Sequence, residues 1–275
     1  MATNDLTDNE YRGICFDETY HTYLTNEKLE YALGKICEES LQGHKIDIVA
    51  FDACLMSMIE IASMVKKYAH VMISSQEVEL GSGYNYQKVL QPFLSSNPDR
   101  YTFAKHIVKA YEEAYSNKTN DYTQSAIDLS LIDAVEQNIN TVALLLIEAL
   151  QHQKDNAAKN IIKMCRSRRL CTVFDEPSYI DLHHFYYNLL ANIEHFKCTN
   201  PEKDQEIKTT LKQALQQGMS LILSSVLENS VGKNLMHAKG ISIYFPEYKI
   251  FGSYRKTGFA TSNAWLLFIT QFLLL

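Results

Sequence analysis

The sequence predicts an α/β fold: a mostly parallel sheet flanked by helices, with a helical layer or subdomain in its second half. Three observations carry this. Short apolar runs recur at 46–51, 68–74, 124–131 and 240–246, and three of the five apolar residues of the first are β-branched, which suits a strand buried on both faces. Segments of helical periodicity separate the first three runs, and strands alternating with helices imply crossover connections and parallel pairing. From about residue 131 to 230 one helical segment follows another.

Taken in order, residues 1–10 are polar and read as disordered, and Arg12–Phe16 reads as a short edge strand before the polar loop 17–23. Thr25 is placed to cap a helix whose apolar face is Leu29, Leu33, Ile36 and Cys37, and Gly43 and His44 end it. The run Ile46–Phe51 is the central strand, and Leu55, Met58, Ile59, Ala62 and Val65 follow at helical spacing. Tyr68–Ser74 is a second strand, completing a right-handed βαβ unit, and 76–86 is a glycine-containing loop at its end. Helices are expected over 85–93 and 103–115, with Pro92 and Pro98 marking the break. A strand at 124–131 precedes helices at 133–153, 157–164, one beginning at 177–181, and 204–229. A buried strand at 240–246 and a helix around Trp265, Phe268 and Phe272, capped by Thr261 or Ser262, close the chain.

Composition bounds the function. A net charge of −6 argues against nucleic acid as the main partner. No apolar run is read as long enough to span a bilayer, and the N-terminus lacks a signal-peptide core. The six cysteines show no metal-ligand spacing, so no cofactor or metal is implied. His183 and His184 are at most a weak metal site, and the loop Arg166–Arg169 is a charged turn or a self-cleavage site.

The informative stretch is Lys45–Glu60, KIDIVAFDACLMSMIE. Cys54 falls where a buried strand hands over to a helix, the end of a strand where α/β proteins bind ligands. Unpaired N–H groups of a helix's first turn would favour its thiolate. The alternative is a small buried hydrophobe. Asp52 is either the anionic floor of a pocket for a cationic side chain or a helix cap. Gly81 and Gly83 would let backbone approach an extended substrate, or simply make turns. Glu77 and Glu79 add negative charge to the site or are solvated.

These residues also carry a resemblance. FDACLMSMIEIA (51–62) resembles the nucleophile segment of clostripain-type cysteine peptidases, SSQEVELGSGYNY (74–86) their Ser-Glu-Gly-aromatic loop, and GISIYFP (240–246) with Trp265 and Phe268 their last strand and helix. SAIDLS (125–130) and YIDLHHF (179–185) are similar as well. The resemblance implies a caspase-like fold, a Cys–His dyad with Cys54 as nucleophile, and cleavage after arginine or lysine, with Asp52, Ser75, Glu77, Gly81 and Gly83 binding the substrate. It divides the chain into a catalytic core at 1–130, a helical region at 131–230 and a strand and helix at 231–275 returning to the core. It leaves calcium open without a motif to support it, and implies a secreted or cell-envelope setting. Ser57 stands where the family commonly has glycine. The family's catalytic histidine sits in a histidine-glycine pair upstream of the cysteine strand. This sequence of nine histidines has no such pair, and none precedes His21. The expected base is therefore on a segment outside this sequence, through truncation of the frame or as a separate N-terminal fragment. The alternative function is a catalytically inactive module of the same fold that binds basic peptides.

Overall fold

The computed structural model describes residues 13–17 and 19–275; the expectation for residues 1–10 lies outside them. Strands β1 (Gly13–Asp17) and β2 (Thr22–Thr25) form an antiparallel hairpin. Thr25 Oγ1 accepts the Lys28 N–H and starts α1 (Asn26–Lys35), which runs into a π-helical turn at Ile36–Ser40. The central sheet holds β3 (Ile46–Ala50), β4 (Ala69–Ser74), β5 (Thr123–Asp128) and a strand at Val226–Val231, in that spatial order. A short helix, α2 (Ile59–Val65), crosses from β3 to β4, and this pair is parallel, as the βαβ reading requires.

The α/β class holds, but the strand directions differ from the expectation. After β4 the chain passes through α3 (Tyr86–Leu90) and α4 (Arg100–Tyr115) and returns as β5 antiparallel to β4. The sheet is therefore mixed, because strand direction is set by where the connecting helices leave the chain, which no residue pattern of the strand itself records.

Beyond β5 run α5 (Ile132–His152) and α6 (Ala157–Arg166). Residues 179–181 do not begin a helix: they form β6 (Tyr179–Asp181), and Asp181 Oδ1 then caps α7 (Leu182–Ala191) by accepting the His184 N–H. The long helix α8 (Pro201–Ser225) stops short of the expected end, and the residues after it become β7 (Val226–Val231), antiparallel to β5. The run at 240–246 supplies only β8 (Ser242–Tyr244), which pairs with β6 outside the main sheet. The chain closes with α9 (Gly258–Ser262) and α10 (Trp265–Leu274); Thr257 caps the former and Asn263 Oδ1 accepts the Trp265 N–H, so neither Thr261 nor Ser262 caps the closing helix.

One face of the sheet packs on α4 through Val71, Ile73, Val108 and Tyr111. The other belongs to the larger core, which joins Met72 and Ile127 of the sheet to α5, α7, α8 and α10. Trp265 is fully buried there and donates its indole N–H to the Tyr244 carbonyl, 2.8 Å away, so its apolar bulk is buried without stranding its one donor. The expectation that no segment is long enough to span a bilayer needs amending: the helical stretch Leu129–His152 is long and apolar enough by length and composition. Its apolar residues Ile132, Ile139, Val142 and Leu146 are fully enclosed in the core.

Candidate functional site

Between β3 and α2 the chain makes a turn rather than entering a helix directly. Cys54 lies on this turn and is exposed, and Leu55 takes a left-handed conformation, φ +61°. A branched side chain in that region costs about 1–2 kcal/mol, and the turn is held in it by the Leu55 N–H bonding to the Glu77 carbonyl at 3.2 Å and the Ser57 N–H to the Ser75 carbonyl at 2.8 Å. The helix begins only at Ile59. The helix-terminus account of the thiol is thereby corrected. What meets Cys54 Sγ is instead the Glu79 backbone N–H, donated from the loop after β4 at 3.3 Å. The thiol in turn points at the Glu79 carbonyl, 4.0 Å away. Among the described residues no imidazole hydrogen-bonds to this sulfur.

Asp52 is exposed on the same turn and does not cap α2. Its Oδ2 accepts the Tyr84 N–H at 3.2 Å and the Tyr86 hydroxyl at 2.8 Å. Gly83 fits against it: φ is +59°, and a Cβ there would stand 2.5 Å from Asp52 Oδ2. The close approach that glycine permits here is to the Asp52 carboxylate. Gly81 is different, with nothing within 4 Å of where its Cβ would be.

Glu79 lies beneath, 8% exposed, with its carboxyl beside that of Asp52. Burial above all, and then Asp52, push its pKa up to about 9, so near neutral pH it is a carboxylic acid beside a carboxylate. Gln124 from β5 donates to Glu79 Oε1 at 3.3 Å and to the Tyr84 hydroxyl at 2.6 Å, and Tyr84 in turn donates to the Phe51 carbonyl at 3.0 Å. Burial also raises Tyr84 and Tyr111, beside this acid pair, well above the ordinary tyrosine range.

The remaining sequence candidates have other places. Ser75 is fully buried; its hydroxyl bonds to the Glu77 carbonyl at 2.8 Å and lies 2.9 Å from Thr123 Oγ1. It supports the loop from within and its side chain does not face a substrate. Glu77 is half-buried, its carboxyl raised by burial, and its Oε1 accepts the N–H groups of Val78 and Asp175, tying this loop to the one before β6. Arg166, in the basic loop, is buried against Glu247 at 2.6 Å, whereas Arg168 and Arg169 are exposed.

Sequence reasoning missed the support under the two loops. Gln76, fully buried, donates to Asp181 Oδ2 at 3.0 Å and accepts the Gly240 N–H at 2.9 Å; Ser57 donates to the Gly240 carbonyl at 2.6 Å. Residues 57, 76, 181 and 240 thus form one buried polar network, which fixes the turn and the loop relative to each other. Its only sequence signal is polar residues inside apolar runs.

The model of the clostripain family matches residues 2–266. Clostripain of Hathewaya histolytica is 22% identical over 292 residues, covering 92% of this chain and 53% of that protein, so the chain spans about half the length of this curated relative. Among solved structures, a clostripain from Bacteroides thetaiotaomicron ATCC 29148 in complex with a peptide inhibitor superimposes with a TM-score of 0.58 at 17% identity, covering 93% of this chain and 99% of that one. A B. fragilis cysteine protease gives a TM-score of 0.57 at 19% identity, covering 91% and 99%.

Proposed function

This chain belongs to the clostripain family, and from that membership we propose that it is the nucleophile-bearing part of a cysteine endopeptidase that cleaves after arginine or lysine. The observation that carries the reading is the pairing, on one exposed turn, of the Cys54 thiol and the Asp52 carboxylate, with Gly83 leaving room for that carboxylate. Cys54 attacks the scissile carbonyl as thiolate, stabilised by the Glu79 N–H. The Cys54 backbone N–H, which has no acceptor among the described residues, serves the developing oxyanion. Asp52 holds the cationic side chain before the cut through charge-assisted hydrogen bonds, with Tyr86 keeping its carboxylate in place. The peptide inhibitor bound to the B. thetaiotaomicron relative, BTN-VLTK-AOMK, carries lysine directly before its AOMK group, which supports a basic residue at that position here.

The general base in this reading is a histidine on a polypeptide segment outside this sequence. It takes the thiol proton and returns it to the leaving amine. The test is cleavage of arginyl and lysyl reporters by this chain with a histidine-bearing family segment supplied in cis or in trans. Turnover that Cys54→Ala abolishes is expected. Absence of turnover with the segment demonstrably docked overturns the enzyme reading.

One observation favours a second reading, a non-catalytic module that binds basic peptides: no imidazole hydrogen-bonds to Cys54 Sγ among the described residues. Losing the base removes catalysis and leaves the acidic site intact. Binding of an arginine peptide that Asp52→Asn weakens, without turnover in any arrangement, identifies that module.

A further inference from the structure

Glu79 joins the two halves of the site. Its backbone N–H holds Cys54 Sγ, and its side chain lies buried in contact with the Asp52 carboxylate. The groups facing it are Asp52 and Cys54 from the turn, Tyr84 and Tyr86 from its own loop, Tyr111 from α4 and Gln124 from β5, none of them cationic. Buried beside the Asp52 carboxyl with no cation facing it, Glu79 keeps its proton near neutral pH.

Hydrogen-bond direction says where that proton sits. The Tyr84 hydroxyl donates to the Phe51 carbonyl, so it accepts one proton of the Gln124 amide; the amide's other proton goes to Glu79 Oε1. Glu79 Oε2 is buried and receives no donor. An acceptor-only carboxylate oxygen in that position would be left with its full desolvation cost. As a protonated O–H it donates to Asp52 instead.

Resting on the basic-site reading above, we propose that Glu79 is a specificity-determining positioning residue: it keeps one proton on the Asp52–Glu79 pair while the site is empty and releases it when a cationic side chain docks on Asp52. The empty site presents one net negative charge to solvent. An arriving guanidinium stabilises the second carboxylate and lowers the midpoint, so between the bound and the free midpoints the proton leaves to solvent and the cation faces two negative charges. A neutral side chain gains nothing from this exchange. Discrimination in favour of basic residues therefore grows as pH rises, over the range in which the empty pair still holds its proton.

The test uses the full chain in a Cys54→Ser background, so that thiol ionisation does not contribute, with N-acetylarginine N-methylamide as the probe. Carboxyl carbon NMR of Glu79 is expected to give a midpoint of about 9 in the free chain, and one at least a unit lower with the probe bound. By linkage, a one-unit fall is worth about tenfold in affinity, so binding should tighten about tenfold from pH 7 to the alkaline side of the free midpoint. Glu79→Gln, with folding checked by circular dichroism, should lose that tightening. A free-chain midpoint below pH 6 overturns the proposal whatever the ligand does. So does a Glu79→Gln variant that follows the wild-type pH profile. A high midpoint with no binding of the probe at any pH overturns the basic-site reading, and the coupling with it.

Discussion

Replacing Gly83 by alanine separates the role of this loop from ordinary turn chemistry. The new Cβ would lie 2.5 Å from Asp52 Oδ2, 2.9 Å from Oδ1 and 3.0 Å from Cγ, all inside normal contact distance. The atoms in the way end a short, exposed side chain, so the fold can survive if the carboxylate swings out. Two costs follow. The left-handed backbone, φ +59°, costs alanine about 1–2 kcal/mol. Asp52 also loses its bonds from the Tyr84 N–H and the Tyr86 hydroxyl, largely replaced by water because the group is exposed. The expected loss of stability is thus about 1–3 kcal/mol. Binding suffers more: a charge-assisted bond to a guanidinium is worth about 1.5–3 kcal/mol, or roughly ten- to hundredfold in affinity. Gly81→Ala is the matched control, since its Cβ meets nothing within 4 Å and its φ is not positive, and it should change stability and binding by no more than about 0.5 kcal/mol. Urea unfolding and calorimetry with an arginyl peptide measure both quantities. If Gly83→Ala binds that peptide like the wild type, or Gly81→Ala is impaired as badly, the argument that Gly83 makes room for the acidic site is wrong.

Other perturbations have equally definite outcomes. Asp52→Asn should weaken arginyl-peptide binding by roughly tenfold or more while leaving a norleucyl analogue unaffected, as calorimetry will show. Folding stability should fall as pH rises from about 4.5 towards about 9: the folded chain keeps the Glu79 proton that the unfolded chain has released. Asp181, buried and raised to about 6, adds to the fall at the acid end of that range. Glu79→Gln should flatten the Tm-against-pH curve above pH 6, and an unchanged curve would place the ionisation elsewhere. Gly218→Ala should destabilise by about 3 kcal/mol or more in urea titration, because its Cβ would fall 2.2 Å from Asn138 Oδ1 and 2.5 Å from the buried Tyr186 ring where α8 meets α5 and α7.

The strand–turn–strand frame of the site was legible because its physics is local. The β-branched run at 46–50 and the apolar run at 69–74 each mark a strand, and the helical crossover between them (Ile59–Val65) brings the second strand back parallel to the first. That frame sets the 76–86 loop beside Cys54, as the Glu79 N–H to Cys54 Sγ bond shows. What failed to read depends on distant partners. Val226–Val231 continues the amphipathic pattern of α8 and becomes a strand only because β5 offers it an edge. Tyr179–Asp181 is a strand because Ser242–Tyr244 lies against it. Cys54 was expected at a helix terminus because Leu55 and Met58 fit the helical period; the left-handed Leu55 breaks that period, and a leucine gives no sign of it. Glu79 looked like one more solvated acid, and its burial follows from Tyr84, Tyr111 and Gln124 closing over it.

The central claim, that a reactive thiol and a cation-selective carboxylate share one turn, is most directly tested by covalent labelling. The chain would be treated with an arginyl and a norleucyl acyloxymethyl ketone of equal length, and the adduct mapped by mass spectrometry. The account predicts modification of Cys54, with the arginyl reagent at least tenfold faster and that preference lost in Asp52→Asn. Equal rates for the two reagents, or an adduct on the exposed Cys15 in preference to Cys54, would contradict it.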